Sequence, residues 1–180
     1  MSAPAEDPRL ALLRARVRDI PDFPKPGILF RDLTPLMGDR ALFKQTVEML
    51  AERLEPYRPE AVVAIESRGF IFGAPVAAAL GIGFVPVRKP GKLPFRIARR
   101  SYALEYGTDT LEMHADAVVA GASVAIVDDL LATGGTAQAT VELARALGAK
   151  ISVAAFVIEL GILRGRERLS GMRVESLIVY

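Results

Sequence analysis

The stretch Val124-Ala125-Ile126-Val127-Asp128-Asp129-Leu130-Leu131-Ala132-Thr133-Gly134-Gly135-Thr136 constrains the fold more than any other part of this chain. Four apolar residues run into two adjacent carboxylates, then into a loop of small residues and hydroxyls. A segment of helical pattern, Ala137 to Leu147, follows directly. That order reads as a buried parallel strand, a site at its carboxyl end and a phosphate cradle opening a helix. A loop built for phosphate alone gains nothing from two like-charged neighbours. Asp128 and Asp129 therefore point to a ligand with hydroxyls, a bound metal, or both. Taken alone, the segment still allows a plain strand-turn-helix with acids at an exposed strand end.

Glycines let successive amides turn inward, and a helix start offers unpaired N–H groups to an anion. Thr133 and Thr136 add hydroxyl donors, although Thr136 would serve equally as a simple N-cap. The segment has neither the Lys of a nucleoside-triphosphate loop nor the spaced glycines of a dinucleotide fingerprint. A phosphorylated sugar answers both features: carboxylates accept from its hydroxyls, and the loop donates to its phosphate.

The rest of the chain builds an α/β context. Ala61 to Ile65, Phe84 to Val87, Val124 to Val127 and Ile151 to Ile158 are expected strands. Pro86 lacks a ladder donor, which argues against an interior position for its strand. Helical spacing is predicted over Pro8–Val17, Arg40–Leu54 and Gly69–Leu80. Strands alternating with crossover helices predict a three-layer α/β fold with a central, mainly parallel sheet. The segment Ile20 to Pro35 is broken by Pro21, Pro24, Pro26, Gly27 and Pro35, so no regular helix is expected there. Its Phe23, Ile28, Leu29 and Phe30 are nevertheless too apolar for an idle linker. An ordinary arm packed on the core and a ligand lid both fit it. Between Arg88 and His114 neither regular period is evident, and a flexible loop, an exposed hairpin or a functional lid is expected. At 180 residues the chain is expected to form a single domain.

Composition excludes little but directs the reading. Lys plus Arg total 23 against 21 Asp plus Glu, so there is no bulk electrostatic case for nucleic acid. With no Cys, thiolate chemistry is ruled out. The polar, Pro-rich start lacks a secretory core, and no uncharged apolar run approaches the roughly 20 residues that span a bilayer. No membrane partner and a cytoplasmic location are expected. Glu66-Ser67-Arg68-Gly69 follows the Ala61 to Ile65 strand, where open sheets bind ligands. Arg68 there is either a phosphate-gripping fork or a solvated charge. Ser67 has no activating triad, since His114 is the sole histidine.

The Val124 to Thr136 stretch resembles the phosphoribosyl-diphosphate signature of the type I phosphoribosyltransferases. Four further stretches, in order, resemble the adenine-specific branch of that family: Phe23 to Asp32, Glu66 to Phe70, Arg88 to Pro94 and Ser101 to Gly107. The resemblance covers about residues 20 to 170. It implies transfer of the 5-phosphoribosyl group from 5-phospho-α-D-ribose 1-diphosphate to adenine, giving AMP and diphosphate, with Mg2+.

The same resemblance implies roles. Ala132, Thr133, Gly134, Gly135 and Thr136 would hold the 5-phosphate. Asp128 and Asp129 would address the ribose hydroxyls, support the cationic sugar and contact metal, directly or through water. Arg68 would grip the diphosphate with Arg88 and Lys92, in part from a neighbouring subunit, which implies a homodimer. Residues around 20–35 would form a small hood: Leu29 would read the adenine edge, Phe30 and Leu130 would sandwich the ring, and Arg31 would sit at its rim. A flexible catalytic loop around 88–114 would carry Glu105, the proton-moving acid, and Tyr106, which closes the site. The bond between Ser67 and Arg68 is a candidate cis peptide. Two competitors remain at this point: a sister enzyme using an oxopurine, and a ligand-binding regulator without turnover.

Overall fold

Every second residue of the Ala61–Ile65 strand faces one helix, and the residues between them face another. The structure, a computed structural model, describes residues 7–103 and 108–180. The chain divides into two compact units, residues 1–48 and 49–180.

In the first unit, helix α1 (Pro8–Arg16) starts where Asp7 caps the amide of Arg9 at 2.9 Å, with Pro8 in the first turn. Strands β1 (Arg18–Pro21) and β2 (Leu29–Asp32) form an antiparallel hairpin in the segment where no regular helix was expected. Its register sets Arg18 opposite Asp32 and Asp19 opposite Arg31, and both opposite-charge pairs form ion pairs. The prolines sit at the strand end and in the connecting turn, which contains a cis Phe23–Pro24 bond and Gly27 at φ +85°. Phe23 meets Phe30 edge-on, with ring centres 5.1 Å apart. A short helix, α2 (Thr34–Met37), follows. The expected helix α3 runs over Arg40–Leu54.

The second unit holds a five-stranded sheet, all parallel. Its strands are β3 (Ala61–Ile65), β4 (Gly83–Val87), β7 (Ser123–Leu131), β8 (Lys150–Glu159) and β9 (Val174–Val179), in the order β4-β3-β7-β8-β9. Strand β4, which carries Pro86, lies at an edge of this sheet, where a missing ladder donor is tolerated. The crossover from β3 to β4 carries α4 (Arg68–Leu80), and that from β7 to β8 carries α5 (Gly135–Ala146). These two crossovers run in opposite directions along the sheet, so right-handed connections put α4 and α5 on opposite faces. Packing agrees. A Cβ on Gly73 of α4 would meet Ala64 and Val62, whereas Val63 and Ile65 share a core with Ala137, Val141 and Ala144 of α5. The three-layer expectation holds, and the apolar runs of β3, β7 and β8 are largely buried on both faces, whereas Phe84 of the edge strand β4 is exposed.

In the segment from Arg88 to His114 the structure selects the hairpin among the alternatives the sequence leaves open, in place of a flexible loop over the whole stretch. Most of its described part is an antiparallel hairpin, β5 (Ile97–Ala103) with β6 (Thr108–His114), and among the described residues those between Arg88 and Ile97 are irregular. Leu111 and Met113 belong to the core beside α5. Glu112 lies between them in the chain and is also buried, held by the Gly91 amide at 2.9 Å and by Arg99 at 3.3 Å. Three consecutive buried positions hide the alternation that marks a strand. Glu105 and Tyr106 lie outside the described residues.

Candidate active site

The site begins where β7 outruns its neighbour. Strand β3 pairs with β7 only as far as Val127, but the ladder between β7 and β8 continues to Leu131. The strand expected to stop at Val127 therefore extends through both acids, because β8 still supplies partners on one side. On the other side the chain leaves β3 through Glu66 and Ser67 into α4. That departure opens a cleft of about 450 Å3 at the carboxyl ends of the strands. It lies between β3 and β7, where the winding of the sheet reverses and open α/β folds bind ligands.

Asp128, Asp129, Leu130, Ala132, Thr133, Gly134, Gly135, Thr136 and Arg68 all line this cleft. The two strand-end segments singled out in the sequence are thus brought together. Both helices start there, and neither has a side-chain cap: Ser67 makes no cap hydrogen bond for α4, and Gly134 has no side chain to make one for α5. Two sets of helix-start N–H groups, with the positive ends of two helix dipoles, converge from opposite faces of the sheet. Such an arrangement suits a ligand carrying anionic groups at both ends.

Between the helix starts stand the two acids. Arg68 Nε lies 2.6 Å from Asp129 Oδ2, and the Asp129 amide donates to Asp128 Oδ1 at 2.9 Å. Burial and the adjacent Asp129 carboxylate push Asp128 well above the usual carboxylate range. Burial raises Asp129 as well, against the pull of Arg68. Gly69 is required by this packing. A Cβ there would come within 2.7 Å of Asp128 Oδ1 and 3.2 Å of the Val127 carbonyl. The cis peptide of this corner is Glu66–Ser67, one residue before the expected Ser67–Arg68 bond. No local sequence signal marks a non-proline cis bond, so its position emerges only from the backbone path.

Opposite the acids, the hairpin supplies a wall that the sequence reading missed. Tyr102 Oη lies 3.1 Å from Thr136 Oγ1 and donates to Asp109 at 3.2 Å, while Lys89 pairs with Asp109. Burial acts to raise Asp109, but the Lys89 hydrogen bond and the Thr110 amide outweigh it and hold the carboxyl low. Lys89 is part of the cleft lining. Its neighbour Arg88 donates to Glu66 at 3.0 Å and to the Lys92 carbonyl at 3.2 Å, and Lys92 is exposed. Glu66 is held low despite burial by the Lys89 amide and Arg88. Leu29, Phe30 and Arg31 lie on β2 of the first unit, where Leu29 is exposed and Arg31 pairs with Asp19. The signal that could have found Tyr102 and Asp109 is hairpin register, since they sit directly opposite each other.

Known proteins share this architecture. The phosphoribosyl transferase domain family matches residues 39–170. An adenine phosphoribosyltransferase from Carboxydothermus hydrogenoformans is 59% identical over 168 residues, covering 93% of this chain and 99% of its own. The crystal structure of adenine phosphoribosyltransferase from Thermoanaerobacter pseudethanolicus superposes with a TM-score of 0.93 at 51% identity, covering 95% and 99% of the two chains. That of the Saccharomyces cerevisiae adenine phosphoribosyltransferase, complexed with an imino-altritol 1,6-bisphosphate and adenine, gives 0.89 at 41% identity, covering 94% and 98%. Alike in sequence and in fold over nearly its whole length, the chain belongs to the phosphoribosyltransferase family, in its adenine phosphoribosyltransferase branch.

Proposed function

We infer that this protein transfers the 5-phosphoribosyl group from 5-phospho-α-D-ribose 1-diphosphate to adenine, giving AMP and diphosphate, a purine-salvage reaction. The observation that carries the reading is the Asp128–Asp129 pair set between two helix starts that lack side-chain caps. The 5-phosphate binds the Ala132 to Thr136 loop at the start of α5. The diphosphate binds Arg68 at the start of α4, assisted by Arg88 and Lys92. Between them the ribose faces the two acids. As the bond from C1 to the diphosphate oxygen breaks, that oxygen keeps the electron pair and positive charge builds on the sugar. Carboxylates already fixed at that place stabilise the charge without reorganising. Adenine N9 then closes on C1 and loses its proton to Glu105, while Tyr106 helps close the site and keep water out. Leu29, Phe30 and Arg31, with Leu130, recognise the base.

Magnesium fits this donor set in a limited way. Among the described residues no group of three His, Cys, Asp or Glu side chains could hold a metal. Glu66 and Asp109 are engaged by Arg88 and Lys89. Mg2+ retains several waters and commonly takes one or two carboxylates plus substrate phosphates. Asp128 and Asp129 would therefore hold, through water, an ion that arrives with the sugar diphosphate. When bound, it supplies charge neutralisation for the leaving group.

A homodimer and a cytoplasmic compartment complete the reading, as does a single functional domain over residues 1–180. They rest on the motif resemblance and, for the compartment, on the Cys-free composition. Among the described residues no helix is long and apolar enough to cross a membrane. Sedimentation of an active monomer at working concentrations would reject the dimer.

The deciding assay supplies purified protein with Mg2+, the sugar diphosphate and each purine base in turn. AMP from adenine, with no nucleotide from hypoxanthine, guanine or xanthine, is the expected result; turnover of no base would sink the enzymatic reading. Glu105→Gln keeps the side-chain volume but removes the proton acceptor. Its turnover is expected to fall by about two orders of magnitude, within the usual share of general-base catalysis. Titration should show sugar-diphosphate affinity nearly unchanged. An unaltered rate across pH would reduce Glu105 to a loop-positioning residue.

A further inference from the structure

The loop assigned to the 5-phosphate is backed by a second segment that no ligand need touch. Gly134 holds φ +81°, and a Cβ on it would lie 2.4 Å from the Gly165 carbonyl oxygen. A Cβ on Gly165 would lie 2.1 Å from the Ala132 carbonyl oxygen. Backbone therefore rests on backbone, with no side chain between the phosphate loop and the 3-10 turn Gly165–Leu169. The next residue along that turn is Arg166. Its Nε and Nη2 donate to Glu159 Oε1 and Oε2 at 3.0 and 2.6 Å, and its Nη1 donates to the Val174 carbonyl at 2.8 Å. Glu159 is buried at the end of β8 and also accepts from Ser176 Oγ at 2.6 Å. The Arg166 hydrogen bonds, ahead of burial, hold its carboxyl below the ordinary range. With a longer bond to Ser176 Oγ at 3.5 Å, four hydrogen bonds thus tie one guanidinium to β8 and β9. A bidentate fork fixes direction as well as distance.

We propose that Arg166 and Glu159 are positioning residues for the 5-phosphate, acting through Gly165 on the Ala132 to Gly134 backbone. The inference rests on the functional reading above and deepens it. A ligand held by backbone N–H groups is only as well placed as the backbone itself. Gly165 forms the wall that keeps Gly134 in its left-handed conformation, and Arg166 keeps that wall in place. Neither Arg166 nor Glu159 lines the cleft. The diphosphate end of the site, at Arg68, is carried by a different corner of the fold.

The test is calorimetric titration of wild type, Arg166→Ala and Arg166→Lys with ribose 5-phosphate and, separately, with inorganic diphosphate. Arg166→Ala is expected to weaken ribose 5-phosphate roughly tenfold, the low end for removing a group that supports a ligand-binding one, and to leave diphosphate unchanged. Lys keeps the charge but not the fork, so Arg166→Lys should fall between. In steady state the KM for the sugar diphosphate should rise while that for adenine stays. Should Arg166→Ala lose its cooperative melt, Arg166→Lys decides by the same comparison. Equal losses for both anions, or no loss for either, overturn the proposal. A wild-type protein that binds neither anion would instead remove the functional reading on which it rests.

Discussion

Asp128→Asn is expected to lower turnover by about two to three orders of magnitude, the scale seen when one fixed electrostatic partner of a transition state is removed. The same substitution should make the folded protein more stable. Asparagine is isosteric, and its carbonyl oxygen still accepts from the Asp129 amide that now donates to Asp128 at 2.9 Å. What it removes is a charge the fold resists. Burial, then the adjacent Asp129 carboxylate, holds Asp128 well above its ordinary value. Between the ordinary and the raised value the folded state keeps a proton that the unfolded chain has lost. Stability therefore falls as pH rises through that window. Glu66, Asp109 and Glu159 are held low, so their contributions run the other way and are lost as pH falls below the ordinary carboxylate range. Melting temperatures of wild type and Asp128→Asn should thus nearly coincide near pH 4 and separate as pH rises. The gap should reach about 1 kcal/mol, typical where stability is given up for function. A gap that stays constant with pH would sink the argument. Asp129→Asn should act differently, because Asp129 anchors Arg68 at 2.6 Å. Besides its share of the lost transition-state support, it should raise the KM for the sugar diphosphate.

Gly134→Ala is expected to remove at least two orders of magnitude from kcat/KM, since displacing a binding group by about 1 Å can cost a hundredfold. Two effects combine at this position: φ of +81°, which an L side chain rarely adopts, and a Cβ that would come within 2.4 Å of the Gly165 carbonyl oxygen. The first lowers stability by about 1 kcal/mol, and the second forces the phosphate loop away from its wall. Gly81→Ala separates them. Gly81 ends α4 at φ +67° with nothing within 4 Å of a Cβ, so it should carry the strain alone. The expected outcome is a larger drop in melting temperature at Gly134 than at Gly81, with KM and kcat altered only at Gly134. Comparable kinetic damage at Gly81 would show that strain, not the brace, is responsible.

The legible parts of the fold were those with a strong local signal. Ala61 to Ile65 and Arg40 to Leu54 were read with their observed bounds, because a short apolar run and a sustained helical period each leave few alternatives. The first hairpin was not legible, and the second was one of three alternatives the sequence left open. In β1 and β2 the prolines and Gly27 dominate the composition, while pairing depends on residues such as Arg18 and Asp32, fourteen positions apart. In β6 the buried Glu112 breaks the alternation, and its partners Gly91 and Arg99 are set by tertiary packing.

At the site the division is just as specific. The order of residues from Val124 to Thr136 was enough to determine a strand, an acidic pair at its end and the start of a helix, since each is a property of consecutive residues. Resemblance across five stretches added the substrate class. Tertiary structure alone decided that β7 outruns β3 and exposes Asp128 and Asp129 beside Arg68. It also decided that Tyr102 meets Thr136 and that Gly165 braces Gly134. Periodicity and turn chemistry act over a few residues. Where two strands end relative to each other, and which distant backbone presses on a loop, follow from how whole elements pack, and no short window of sequence contains that information.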